Sequence, residues 1–315
     1  MGTPEFDRRP LEYLVKNTRH KLLAVVTGPD KPVGRGRKLQ PTAVKSAALD
    51  NNLPVFTPDS LKNEDFLEEM KKINADIFVV VAFRILPEKL FTLPKFGSIN
   101  LHGSLLPKYR GAAPINWAII NGETETGLTT FFLKNKVDTG NIIYQEKTVI
   151  EPDDTFDDLY KKLSEMAGPV IEKTLDLIES GQVKEIPQDN SLASPAPKIK
   201  PEDCLIDWTL PVDKCVNFIH GMSSIPGAYT YFRGKKLKIF RATKITSEPD
   251  SNYKRRQIIK DKKRLIVAAS NGNIEILQLL PEGKSKITGG EFIRGYQPKD
   301  GESLGDKASK NLERK

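Results

Sequence analysis

The sequence predicts a two-part molecule: an α/β domain built on a doubly wound, mostly parallel sheet, followed by a smaller β-barrel domain. Three observations carry that prediction. Apolar runs of strand length alternate with amphipathic helical stripes through residues 1–186. A stretch rich in Ser, Pro and Lys, residues 187–201, then interrupts the pattern as a linker does. Beyond it, within 202–300, short strand-like segments follow one another, some separated by Arg233-Gly234 and Asn271-Gly272 turns, and such a series fits a barrel.

The first strand-like run is 22–27, of fully buried type. Residues 42–51 read as a helix and 54–56 as a short extended piece. Residues 61–73 place Leu61, Phe66, Leu67, Met70 and Ile73 on one helical stripe. The run 76–82 is continuously apolar after Asp76, as expected of a central parallel strand covered on both faces. The strand at 98–102 follows, then a helix near 113–120, then strands at 128–133 and 141–149 flanking Asp138. A long amphipathic helix at 155–178 opens with acidic residues, which the helix dipole favours. In the second part, 212–222 suggests a helix, with strands at 228–232, 236–241, 257–260, 264–269 and 274–280. Residues 301–315 hold almost no apolar side chains and are expected to form a mobile basic tail.

The 315 residues suffice for two cores, and no apolar run is long enough to span a bilayer. The N-terminus lacks a basic-then-apolar signal pattern, so the cytoplasm is the expected compartment. Cys204 and Cys215, without a histidine pair beside them, read as reduced structural thiols. Charge is uneven. Residues 1–186 carry 25 Lys+Arg and 26 Asp+Glu, whereas 187–315 carry 24 against 15. The whole excess of +8 therefore arises in the C-terminal part, where a long-range positive field attracts polyanions such as RNA.

The run Ser98-Ile-Asn-Leu-His102 alternates apolar and polar residues, so Asn100 and His102 leave one face of a strand that ends in a Gly103 and Pro107 turn. An imidazole can carry a proton, and a carboxamide can donate a hydrogen bond to a developing oxyanion, which suits acyl transfer. Open α/β sheets place their ligands beyond such strand ends. Asp138 lies in Val137-Asp-Thr-Gly-Asn141, a glycine turn between two strands. An aspartyl-protease reading would require a second such aspartate in a second lobe, and none is present.

Together these stretches resemble the formyltransferases that use 10-formyltetrahydrofolate. The likeness rests on Met1-Gly-Thr-Pro-Glu-Phe6, on residues 29–39, on His102-Gly-Ser-Leu-Leu-Pro-Lys-Tyr-Arg-Gly-Ala-Ala-Pro-Ile115, on Ala196-Pro-Lys-Ile199 and on Ile206-Asp-Trp208. The resemblance implies a Rossmann-like formyltransferase domain and an OB-like, tRNA-binding barrel. It assigns catalysis to Asn100, His102 and Asp138. Folate binding falls to Ser104, Leu105, Leu106 and Pro107, with Phe83 and Ile85 near the pterin. In the commoner family pattern a glycine follows the aromatic and the loop is one residue longer. Here Phe83-Arg84-Ile85-Leu86-Pro87 replaces it, with Arg84 pointing to the glutamate tail or to solvent.

The implied reaction moves a formyl group to the amino group of a methionine esterified to initiator tRNA, with 10-formyltetrahydrofolate as co-substrate and no metal. His20, His102 and His220 are too dispersed to suggest a metal site. Arg35, Arg37 and Lys38, in a basic glycine loop, are assigned to tRNA, as are Lys236, Lys238 and Arg241 on the barrel, where Lys254, Arg255 and Arg256 add to the charge. The nearby aromatics, Tyr229, Tyr231 and Phe232, read as barrel core. A monomer without a protein partner or membrane association is expected. The alternatives are a 10-formyltetrahydrofolate hydrolase, a formyltransferase acting on glycinamide ribonucleotide or a sugar nucleotide, and a non-enzymatic RNA-binding protein. The last has no use for Asn100, His102 and Asp138 together. Family members also usually carry a short apolar strand before the Met1-Gly-Thr-Pro turn. The chain is therefore expected to lack a core strand of its sheet and to gain stability when one is restored.

Overall fold

A computed structural model describes residues 1–33, 38–245, 252–259 and 261–305. Its contacts divide the chain into two units: Met1–Pro114 with Glu125–Thr148 and Tyr160–Pro197, and Ile115–Thr124 with Val149–Leu159 and Lys198–Lys315.

In the first unit, helix α1 (Arg8–Asn17) precedes strand β1 (Val25–Val26), a hairpin of β2 (Lys31–Val33) and β3 (Lys38–Gln40), helix α2 (Ala43–Asp50) and strand β4 (Val55–Phe56). Helix α3 (Glu64–Ile73) starts where the Asn63 side chain accepts the Phe66 N–H, carries Glu64 and Asp65 in its first turn, and stops at a left-handed Asn74. Its Phe66, Leu67 and Met70 are buried against Phe78 and Val80 of β5 (Phe78–Val81), which realises the stripe seen in the sequence. After helix α4 (Glu88–Phe91), β6 (Ser98–His102) pairs parallel to β5 with Val81 opposite Leu101. A short β7 (Arg110–Gly111) and helix α5 (Pro114–Asn121) follow. Strand β8 (Glu125–Phe132) runs antiparallel to β6, and β9 (Ile142–Val149) completes the order β5-β6-β8-β9. Helix α6 (Phe156–Glu179) comes next.

The sheet is in two pieces, because β1 pairs in parallel with β4 alone. Met1 and Gly2 lie between the pieces. The Met1 ammonium donates to Val79 O, Val81 N–H donates to Met1 O, and Gly2 N–H donates to Val26 O. Beside them is a cavity of about 370 Å³ lined by Val25 and Val26 of β1, Phe78 and Val79 of β5, and Ile171 and Leu175 of α6.

Residues 187–197, read from sequence as part of a linker, are instead hydrogen-bonded onto the first unit. Strand β10 (Pro195–Ala196) pairs parallel to β7, and Ser194 O accepts the Arg110 N–H. The stretch is polar but not loose, since its backbone groups are taken up by the 109–113 loop.

The second unit is an antiparallel sheet with helix α7 (Val212–Gly221) against its long strand. The strands run in the order β11 (Ala228–Phe232), β12 (Lys235–Ile245), β15 (Asn273–Pro281), β14 (Leu265–Ala268), β13 (Ile258–Ile259), and β16 (Ile287–Thr288) is also paired to β15. Arg233 and Gly234 both have positive φ, as a two-residue hairpin turn requires. Helix α8 (Gly289–Tyr296), which the sequence reading missed, opens with a capping box between Thr288 and Glu291.

Residues 301–305 are not part of a mobile tail. Gly305 N–H donates to Tyr231 O, Leu304 N–H to Arg256 O, and Leu304 is fully buried. This segment bridges the β11 edge to the chain entering β13 and so closes the barrel. One leucine among polar neighbours was the signal, and composition averaging hid it. Residues 306–315 lie outside the described residues.

Candidate active site

The alternation of β6 has the consequence expected of a strand. Ile99 and Leu101 are buried in the core, and Asn100 and His102 leave the other face. Asn100 is half-buried, and among the described residues its carboxamide has no hydrogen-bond partner. His102 is buried, and its Nε2 lies 2.8 Å from Tyr109 O. A carbonyl oxygen only accepts, so Nε2 carries the hydrogen and Nδ1 is the atom left to exchange a proton. Nδ1 faces Asp138 Oδ2 at 3.8 Å.

That separation is too long for a hydrogen bond. The ring is therefore oriented by the Tyr109 backbone, with the Asp138 carboxylate facing its Nδ1 edge. Asp138 Oδ2 accepts the Gly111 N–H at 2.9 Å. Both Tyr109 (φ +61°) and Asp138 (φ +54°) adopt the left-handed region, which is uncommon for residues bearing a Cβ and concentrates at functional sites.

Between His102 and Tyr109 the loop is braced from below. Leu106 N–H donates to Thr129 Oγ1, Thr129 Oγ1 donates to Ser104 O, and Gln145 Nε2 donates to Leu106 O. Ser104 is fully buried and its hydroxyl donates to Lys108 O, so its side chain braces the loop. Leu106 is likewise buried, against Phe131 and Ile142. Of the four loop residues assigned to folate, only Leu105 and Pro107 keep partial exposure. Phe83 and Ile85 follow β5, the parallel neighbour of β6, so the 82–86 loop leaves the same edge of the sheet as the 103–109 loop. Ile85 is 78% exposed. Arg84 is exposed, lies over the Phe83 ring and donates to Pro58 O and Asp59 O.

The basic candidates are more dispersed. Arg35 and Arg37 lie outside the described residues, and Lys38 is exposed on β3. On the barrel, Lys236 Nζ sits 3.6 Å above the Tyr229 ring, Lys238 donates to Pro226 O, and Arg241 pairs with Asp158 at 2.7 Å. Phe232 is core, as expected, while Tyr229 and Tyr231 are half-buried and Tyr229 packs against the edge of that core.

Cys204 and Cys215 are buried free thiols, and burial pushes Cys215 up to about 12. His220 is buried with Nε2 on Ala242 O, and burial lowers its pKa. His20 contacts Asp176 near Glu179, and Arg19 already pairs with both carboxylates. Among the described residues no helix is long and apolar enough to cross a membrane.

The first unit is thus an α/β fold that sets an imidazole against a carboxylate, with a free carboxamide two residues earlier on the same strand. Residues 1–175 match the formyl transferase family and residues 198–297 its C-terminal domain. The chain is 42% identical over 310 residues to the methionyl-tRNA formyltransferase of Bacteroides fragilis, covering 94% of each. It is also 42% identical over 311 residues to that of Pelotomaculum thermopropionicum, covering 98% of each. A solved N-formyltransferase from Helicobacter canadensis, in complex with folinic acid and dTDP-3-aminofucose, shares the fold with a TM-score of 0.67 and 24% identity over 87% of this chain and 96% of that one. A sugar 3N-formyl transferase solved with dTDP and 5-N-formyl-THF gives a TM-score of 0.66 at 22% identity, over 90% of this chain and 97% of that one. The chain belongs to the formyl transferase family.

Proposed function

We propose that this enzyme transfers a formyl group from 10-formyltetrahydrofolate to the amino group of methionine on initiator tRNA. The observation that carries the proposal is the 42% identity, spread over 94% of the chain, to methionyl-tRNA formyltransferases. The protein's own residues suit the donor. Ile85, Phe83, Leu105 and Pro107 offer apolar surface on two loops at one sheet edge, which fits a flat pterin, and the donor supplies an activated one-carbon unit when bound.

The chain's groups then divide the work. Asn100 donates to the oxygen that gains charge as the amine adds to the formyl carbon. His102 takes the amine proton on Nδ1, since Nε2–H is committed to Tyr109 O, and returns it to the folate nitrogen as the old C–N bond breaks. Asp138 stabilises the imidazolium formed between those two events.

The tRNA is drawn by the positive second unit. A hollow of about 560 Å³ lined by Lys254, Arg255 and Arg256, with Tyr253 at its side, is suited to backbone phosphates. Lys38, exposed on β3, is assigned to the acceptor end, as are Arg35 and Arg37. The enzyme works in the cytoplasm as a monomer, needing no protein partner.

The test is a formyl-transfer assay with charged initiator tRNA and His102→Ala as control. Formylated methionyl-tRNA from the wild type, lost in the variant, is expected. Folate turnover without tRNA formylation would assign the chain to the hydrolases instead.

A further inference from the structure

Gln188 belongs to the polar stretch after α6, and no motif singles it out. Its carboxamide is nevertheless used at both ends. The side-chain oxygen accepts from Arg110 Nε at 3.0 Å and from Arg110 Nη2 at 2.7 Å. The side-chain nitrogen donates to Asp138 O at 3.0 Å and to Gly140 O at 2.8 Å. Arg110 also donates to Asn190 Oδ1, so the cation is anchored on the same stretch.

These four bonds join the two loops that make the histidine–carboxylate pair. Arg110 directly follows Tyr109, whose carbonyl holds the His102 ring. Asp138 sits at φ +54°, a conformation that needs support from its surroundings when the residue carries a Cβ. Gln188 supplies that support by bonding the carbonyls on both sides of Thr139. The Asp138 carboxylate, in turn, accepts one hydrogen bond among the described residues, from the Gly111 N–H, so its distance from Nδ1 depends on where the backbone turn is held.

We propose that Gln188 is a positioning residue that sets the 3.8 Å separation of His102 Nδ1 and Asp138 Oδ2. The inference rests on the assignment of His102 and Asp138 to proton handling. Glutamine suits the task because it offers an acceptor and a donor on one planar group. Glutamate at this position keeps the acceptor for Arg110 but sets an oxygen against two carbonyls.

The experiment is a double-mutant cycle in steady-state formyl transfer, with circular dichroism to confirm folding. Gln188→Ala is expected to lower kcat by about 10- to 100-fold, as small misplacements of catalytic groups do, and to leave the KM for the formyl donor within about twofold. Gln188→Glu should lose at least as much. In an Asp138→Ala background, Gln188→Ala should cost less than about twofold more, because the residue acts through Asp138. Equal losses in both backgrounds, or wild-type kcat in Gln188→Glu, would overturn the inference while leaving the catalytic pair intact. Wild-type activity in Asp138→Ala would instead overturn the assignment of the pair, and the inference with it.

Discussion

Asn100 and His102 leave the same face of one strand, but their surroundings differ. The histidine is enclosed and hydrogen-bonded to Tyr109 O, whereas the Asn100 carboxamide is half-buried with no partner among the described residues. A polar group held ready in this way costs no reorganisation when charge develops beside it. Asn100→Ala should lower kcat by about 100-fold and barely change the melting temperature, a split readable from kinetics and calorimetry on one preparation. Asp7 is the opposite case, a buried carboxyl with a structural cost. One oxygen accepts the Thr3 N–H, the other has no hydrogen-bond partner among the described residues, and burial pushes the group up to about 8 against the pull of that hydrogen bond and the Met1 ammonium. A folded-state pKa above the unfolded value means that the stabilisation is complete below the ordinary carboxylate range and is lost as pH rises through about 8. Asp7→Asn keeps an acceptor for Thr3 without the titration. Its melting temperature should match the wild type near about pH 4 and exceed it by several degrees near about pH 8, where the wild-type carboxyl must ionise in place. Equal melting curves at both values would refute the account.

At the scale of elements, the β8–β9 turn delivers Asp138, and Gly140 makes the turn possible. A Cβ there would lie 1.6 Å from Phe132 O and 3.0 Å from the Phe131 ring. Neither neighbour can yield, one being backbone and the other core. Gly140→Ala is expected to destabilise the protein by about 3 kcal/mol or more in urea titrations and to abolish most formyl transfer by displacing the 138 loop. The helices α2, α3, α5, α6 and α7 were all readable from hydrophobic spacing, because each buries one stripe. The run at 22–27 reads as a full strand, but only Val25–Val26 pairs, since one of its sides faces the cavity rather than a neighbouring strand. Residues 187–197 were misread for a different reason. Polar, proline-containing sequence looks like linker whether or not its backbone finds partners, and here the partners lie on a distant loop.

At the scale of the molecule, the sheet of the first unit is divided, with Met1 and Gly2 bonded between its pieces. Its cavity is about 370 Å³, and the adjacent backbone ladder already runs through Met1 and Gly2. Placing a short apolar, β-branched segment ahead of Met1 should continue that ladder between β1 and β5. At about 24 cal/mol per Å³, filling a third of the space contributes about 3 kcal/mol. The expected rise in melting temperature is about 6 °C or more, and a polar segment of equal length should give none. If both segments leave the melting temperature unchanged, the cavity is not a strand site.

Residue order alone settled the class of fold and the two-part division of charge, and it put forward the trio of chemical groups proposed for the site. Hydrophobic period, turn chemistry and motif spacing are local properties, and each survives being read one window at a time. Folding settled what those windows omit. Which backbone carbonyl holds the His102 ring, that Ser104 turns inward, that Leu304 closes the barrel and that Gln188 reaches a loop fifty residues earlier are all matters of distant segments meeting. Such meetings are decided by packing and by the need to satisfy buried polar groups, and neither has a period along the chain.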